Sequence, residues 1–405
     1  MKKIKLFFKY FTITTVSLIV IFLGTIYVGH KYIFKDEKSE ISTLKDIKSG
    51  GMCFGVNCNP QPKTEVEYIN LFANQIKNYS KIAPKLWPNN KEVNQYALVE
   101  SIETKKYWLI NPNGNVQELS QQKIDSILPN RPKFNVGFLP FESENKQGIY
   151  LALSTEDLTN VLTFQKYFHL GTYDLFITYS HELFHILNQD KNQDWKKSDE
   201  INNKDRFVDV KNIKARSKRN LLYSLVLDAV SETDSLMKIQ KTLQLVSNFN
   251  DFKKTELNDY KNNLFFDRVE GSAFYYELIS CLYVGYPNTV KSEDSLYKSL
   301  SLMASKLDRY DDGIIGTETY WINGWTGVLL DQLNKQNTDQ WKLELMSNPN
   351  NNSLEILANQ FSDNSIIKPA PLKISKEREK KVKEIIENNE NNLSNVFRFL
   401  YEIFF

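Results

Sequence analysis

Residues 173–187 read Tyr173-Asp174-Leu175-Phe176-Ile177-Thr178-Tyr179-Ser180-His181-Glu182-Leu183-Phe184-His185-Ile186-Leu187. Ile177, Leu183, Phe184, Ile186 and Leu187 give this stretch enough apolar surface to bury a helix, and Asp174 suits the positive end of its dipole. The pattern changes character here. Upstream, Tyr96–Ile102, Tyr107–Ile110, Val116–Leu119, Phe134–Phe141 and Gly148–Leu153 are short, rich in Val, Ile, Tyr and Trp, and punctuated by the turn Asn111-Pro112-Asn113-Gly114, which predicts antiparallel strands. A helix over Glu65–Tyr79 precedes them. Downstream, helical spacing runs from Ala215 to about Leu245 and from Leu257 to Tyr283. Strands first and helices second predict an α+β fold, an antiparallel sheet followed by a mainly helical domain.

Two of the four histidines in the chain fall in His181-Glu182-Leu183-Phe184-His185. On a helix, residues four apart lie on one face, so both imidazoles can bind one Zn²⁺ while Glu182 points toward the metal's water. Zinc brings that water's pKa toward neutrality, and a neighbouring carboxylate can take the proton and pass it to a leaving amine. The bland alternative is a pair of histidines on a solvated helix face.

A catalytic zinc needs a third protein ligand and an open position. The metzincin pattern requires Gly and His where this chain has Asn188 and Lys191, so a carboxylate is expected, with His169 and His30 as minor candidates. Glu270 has the best surroundings, in Asp267-Arg268-Val269-Glu270-Gly271-Ser272-Ala273-Phe274-Tyr275-Tyr276-Glu277; Glu200 and Glu232 are the alternatives. Asp267 and Glu277 are candidates to orient a ligating imidazole from behind.

With its HExxH stretch and the pattern E-G-x-A-x-Y starting at Glu270, the chain resembles the Glu-zincin metallopeptidases over roughly Glu65–Leu345. The resemblance implies a zincin-like catalytic domain that hydrolyses peptide bonds. It implies His181, His185 and Glu270 as zinc ligands and Glu182 as general base. Gly271, Ser272 and Ala273 would let the second helix approach the HExxH helix closely. Further on, residues 311–325 form a glycine- and aromatic-rich loop before a helix, where Tyr320 is a candidate donor to a developing oxyanion.

The ends of the chain suggest where this happens. Lys2, Lys3, Lys5 and Lys9 precede the uncharged run Tyr10–Gly29, long enough for a transmembrane helix with its lysine end cytoplasmic and the remainder outside. No small-residue cleavage site follows it. The expected organisation is an anchor over residues 1–29, a stalk over 30–65, the metallopeptidase domain over 66–345 and a helical tail over 346–405. Cys53 and Cys58 are close enough in sequence for an extracytoplasmic disulfide, and Cys281 reads as a buried core residue.

A mean hydropathy of −0.44 argues against several spans. Lys plus Arg 51 against Asp plus Glu 49 is too balanced for a nucleic-acid binder. The expected partners are a peptide or protein substrate and, through the first helix, a membrane. The rival from a different class is a catalytically inactive, zinc-stabilised extracytoplasmic binding module; Glu182 argues against it, since a structural site closes with a fourth ligand.

Overall fold

The computed structural model describes residues 64–88, 94–129, 138–143, 146–153, 174–189, 212–310, 318–363 and 368–390, with Lys48–Ser49, Met52–Cys53, Asn90 and Thr172. The candidate anchor over 10–29, His30, Cys58, His169 and Glu200 lie outside them. Among the described residues, no helix is long and apolar enough to cross a membrane.

Helix α1 (Glu65–Leu86) starts where the Thr64 side chain accepts from the Glu67 amide and ends before Trp87. Its buried residues Tyr68, Ile69, Phe72, Ala73, Ile76, Tyr79, Ala83 and Leu86 follow the three-and-four spacing of a single apolar face. The short pair β1 (Lys48–Ser49) and β2 (Met52–Cys53) precedes it. Next come β3 (Gln95–Ser101), β4 (Tyr107–Ile110), β5 (Val116–Leu119), the short helix α2 (Gln121–Ile127), β6 (Phe138–Ser143) and β7 (Lys146–Leu153). Five of these strands form one sheet in the order β5-β4-β3-β7-β6.

The α+β class therefore holds, but the sheet is not purely antiparallel. β3 and β7 pair in parallel, Ala97 opposite Ile149 and Val99 opposite Leu151, while the other neighbours are antiparallel. Alternation marks a strand without naming its partner, and the long connection from β3 to β7 lets the chain return in the same direction. One face of the sheet packs Leu98, Leu109 and Tyr150 against Ile124 and Ile127 of α2. Helix α3 (Asp174–Phe184), the HExxH helix, lies against β7, and its Tyr179 hydroxyl donates to the Gln95 carbonyl of β3 at 3.1 Å.

The helices that follow are α4 (Ile213–Ser231), α5 (Ser235–Thr255), α6 (Leu257–Gly285), α7 (Glu293–Ala304), α8 (Glu318–Leu333), α9 (Asp339–Ser347), α10 (Ser353–Gln360) and α11 (Lys376–Glu390). The expected single run from Ala215 to about Leu245 is two helices. The Asp234 side chain caps the second by accepting from the Met237 amide, and Glu232 accepts from the Thr233 and Asp234 amides in the turn between them.

The centre of this part is α6, which packs against α8, α3 and α1. Of its small residues, Ser272 meets Gln189 of the turn that continues the HExxH helix, whereas Gly271 faces α8 instead. A Cβ on Gly271 would lie 2.4 Å from the Asn323 Cβ, and one on Gly324 would lie 2.3 Å from the Phe274 ring, so the glycines bring α6 against α8. Close by, Arg219 pairs with Asp267 at 2.6 Å and Glu318 at 2.9 Å, tying α4 to α6 and to the first turn of α8. Cys281 is fully buried with a free thiol. Val382, Ile385 and Ile386 of α11 pack on Ile213 and Tyr310, while the Gln244 amide donates to the Ala370 carbonyl at 3.0 Å.

Candidate metal centre

Four elements deliver the site. His181 and Glu182 sit in the last turns of α3, and at His185 the helix widens into a π-turn, His185–Gln189. Such turns concentrate at functional sites because they re-aim side chains without breaking the helix. His181, Glu182 and His185 bring one ligand atom each to within 4.8 Å of one another. From α6, Glu270 Oε2 lies 3.2 Å from His181 Nε2 and 3.6 Å from His185 Nε2. A tetrahedral ion with bonds near 2.1 Å holds its ligand atoms about 3.4 Å apart. Glu270 thus stands at ligand spacing from each histidine.

Both rings are held from behind. His181 Nδ1 is 2.9 Å from Glu277 Oε2, two turns beyond Glu270 on the same helix, so Glu277 fills the orienting role. Asp267 does not fill that role, because its carboxylate is taken by Arg219. His185 Nδ1 bonds to Gln189 Oε1, whose amide nitrogen in turn donates to the Val269 carbonyl at 2.9 Å. Gln189 is absent from the sequence reading, although four residues after His185 is the spacing that puts two side chains on one face.

Burial and charge set the protonation of the cluster without a metal. Burial alone would lower the His181 imidazolium, yet hydrogen bonds to Glu270 and Glu277 raise it to about 10. Burial pushes Glu270 up, but the two histidines bonded to it bring it below the usual carboxylate range. Burial raises Glu182 above its ordinary value despite both histidines, the direction that suits an acid–base group. The alternative Glu232 is engaged elsewhere, its Oε2 bonded to Lys241 at 2.7 Å.

Compared with protein families, curated proteins and solved structures, the chain finds no match.

Tyr320 reaches the site from a different kind of element than expected. It belongs to the first turn of α8 and not to a loop, because the pattern Trp321 to Trp325 buries one side of a helix whose Gly324 and Gly327 meet Phe274 and Tyr275. Its ring stacks on His181 with centroids 5.7 Å apart and planes at 24°. Burial first and the Glu270 carboxylate second keep its hydroxyl protonated well above the ordinary range. The arrangement gathers two imidazoles, the Glu270 carboxylate that faces them, the adjacent Glu182 carboxylate and the Tyr320 ring, a set that could hold a metal ion.

Proposed function

We propose that this chain is a zinc-dependent peptidase of the Glu-zincin type, and the observation that carries the reading is Glu270 Oε2 at ligand spacing from both His181 Nε2 and His185 Nε2. The donor set fits zinc, since two imidazoles, neutral once the metal displaces the proton that Glu270 and Glu277 favour on His181, and one carboxylate with a position left open make a catalytic coordination set. Zinc, when bound, would acidify a water and polarise the substrate carbonyl. Glu182, close to both histidines and raised by burial, takes the proton of the attacking water and delivers it to the leaving amine. Tyr320, a protonated phenol beside Glu270, donates to the oxyanion as it develops. Glu277 and Gln189 hold the imidazoles in the orientation that leaves both Nε2 atoms facing Glu270. The length and flanking lysines of the run Tyr10–Gly29 support a single-pass anchor with the site outside the cytoplasm.

The test is zinc content and peptide hydrolysis measured on the same purified samples. His181→Ala and His185→Ala should each empty the site. Glu182→Gln should keep about one zinc and lose roughly 100-fold or more of turnover, since it removes only the base. A wild-type protein that holds zinc but cleaves nothing in a broad peptide library would replace this reading with the zinc-stabilised binding module. One that holds no zinc would remove both.

A further inference from the structure

The hydrogen bonds around Gln189 have only one consistent direction. The Val269 carbonyl can only accept, so the group 2.9 Å from it must be the amide nitrogen of Gln189. Ser272 Oγ, 3.1 Å from the same nitrogen, already donates to the Arg268 carbonyl at 2.8 Å and is therefore free to accept. With its nitrogen committed to α6, Gln189 turns its oxygen to His185 Nδ1. An amide oxygen only accepts, so Nδ1 carries the proton and, in the neutral ring, Nε2 carries the lone pair. That lone pair faces Glu270 Oε2.

We propose that Gln189 is a positioning residue of the metal centre: anchored to the helix that carries Glu270, its amide selects the His185 tautomer that can bind the ion. The proposal rests on the metal reading given above and goes beyond it, because neither the HExxH spacing nor the glutamate on α6 requires such a residue. Gln189 is 4 % exposed and ties the second histidine to the backbone of α6 beside Glu270. Two of the three ligands are thereby set relative to each other by one side chain. The two imidazoles also differ in what backs them. Glu277 gives His181 an ionisable partner, whereas Gln189 gives His185 a neutral one whose two ends are chemically distinct.

Two substitutions separate positioning from packing. Gln189→Leu removes both ends of the amide. Gln189→Glu keeps an acceptor for His185 Nδ1 but sets an oxygen against the Val269 carbonyl, so it should lower Tm while preserving the tautomer. Zinc affinity is read on the full-length purified chain by competition with a chromogenic chelator. The His185 tautomer is read in the zinc-free protein from ring carbon and nitrogen chemical shifts, and Tm is taken on the same samples. The expectation is a roughly 10- to 100-fold loss of zinc affinity in Gln189→Leu, with His185 spread over both tautomers. Gln189→Glu should bind zinc far better than Gln189→Leu even though its carboxylate is set against the Val269 carbonyl. Zinc affinity that follows Tm across the variants, or a His185 tautomer unchanged in Gln189→Leu, overturns the proposal. A wild-type chain that binds no zinc overturns the metal reading itself, so the two failures are distinct.

Discussion

Glu232 and Glu270 carry the same carboxylate, and what faces each decides its work. Glu270 meets two imidazoles, whereas Glu232 meets Lys241 and the amides of Asp234 and Thr233, which together bring it down to about 2. Its folded value lies below the unfolded one, so its contribution to stability is complete above pH 4.5 and is lost as pH falls toward 2. Glu232→Gln should therefore melt below the wild type at pH 7, and the gap should narrow through pH 4 and close near pH 2. The effect is modest and salt-sensitive, since water screens this turn. Thermal melts at several pH values check it, and a gap independent of pH would assign the loss to packing. His181, Glu182 and His185 are legible in the sequence because four residues along a helix return to the same face, whatever the rest of the chain does. The choice among Glu270, Glu232 and Glu200 is not, since it depends on which helix crosses α3. Gln189 is less legible still, because its orientation is set by a backbone carbonyl on α6.

Among elements, the crossing of α6 and α8 holds the site together, as these helices carry Glu270 and Tyr320. Periodicity predicts α6 well over residues 257–283. It does not predict α8, whose glycines read as loop residues until the partner helix is present to explain them. Gly324 packs against Phe274 and the backbone of Gly271 and Tyr275, leaving no space for a Cβ. In an exposed helix Gly→Ala would gain about 1 kcal/mol. Here the added methyl must displace an aromatic ring and two backbone atoms, a cost of roughly 1–3 kcal/mol for overpacking. The second effect wins, so Gly324→Ala should lower the urea midpoint with the m-value unchanged. An increased midpoint would mean that α6 and α8 can separate at little cost. The sheet shows the same limit of sequence patterning. Each strand is recognisable by its composition, but the parallel partnership of β3 and β7 is a property of the path between them.

At the scale of the whole molecule, the proposed anchor makes the membrane the next question. The longest described helix, α6, has 29 residues, enough to span, but Asp267, Arg268 and Glu277 are buried within it against protein partners. It is a core helix. The segment with the length and composition of a span is Tyr10–Gly29, and the four lysines ahead of it would keep that end cytoplasmic. On the proposed reading the catalytic unit would be tethered outside the cytoplasm, and substrate would arrive from the outside or from the membrane surface. Removing residues 1–29 should release the chain from alkali-washed membranes without loss of bound zinc, because every proposed ligand lies beyond residue 180. Protease added to intact cells, or to spheroplasts where an outer membrane is present, should digest the folded part of the full-length chain while a cytoplasmic control stays whole. Release with complete protection would keep the anchor and reverse the orientation. Retention of the truncated chain in washed membranes would mean that the folded part itself binds lipid, and the N-terminal run would then be redundant as an anchor.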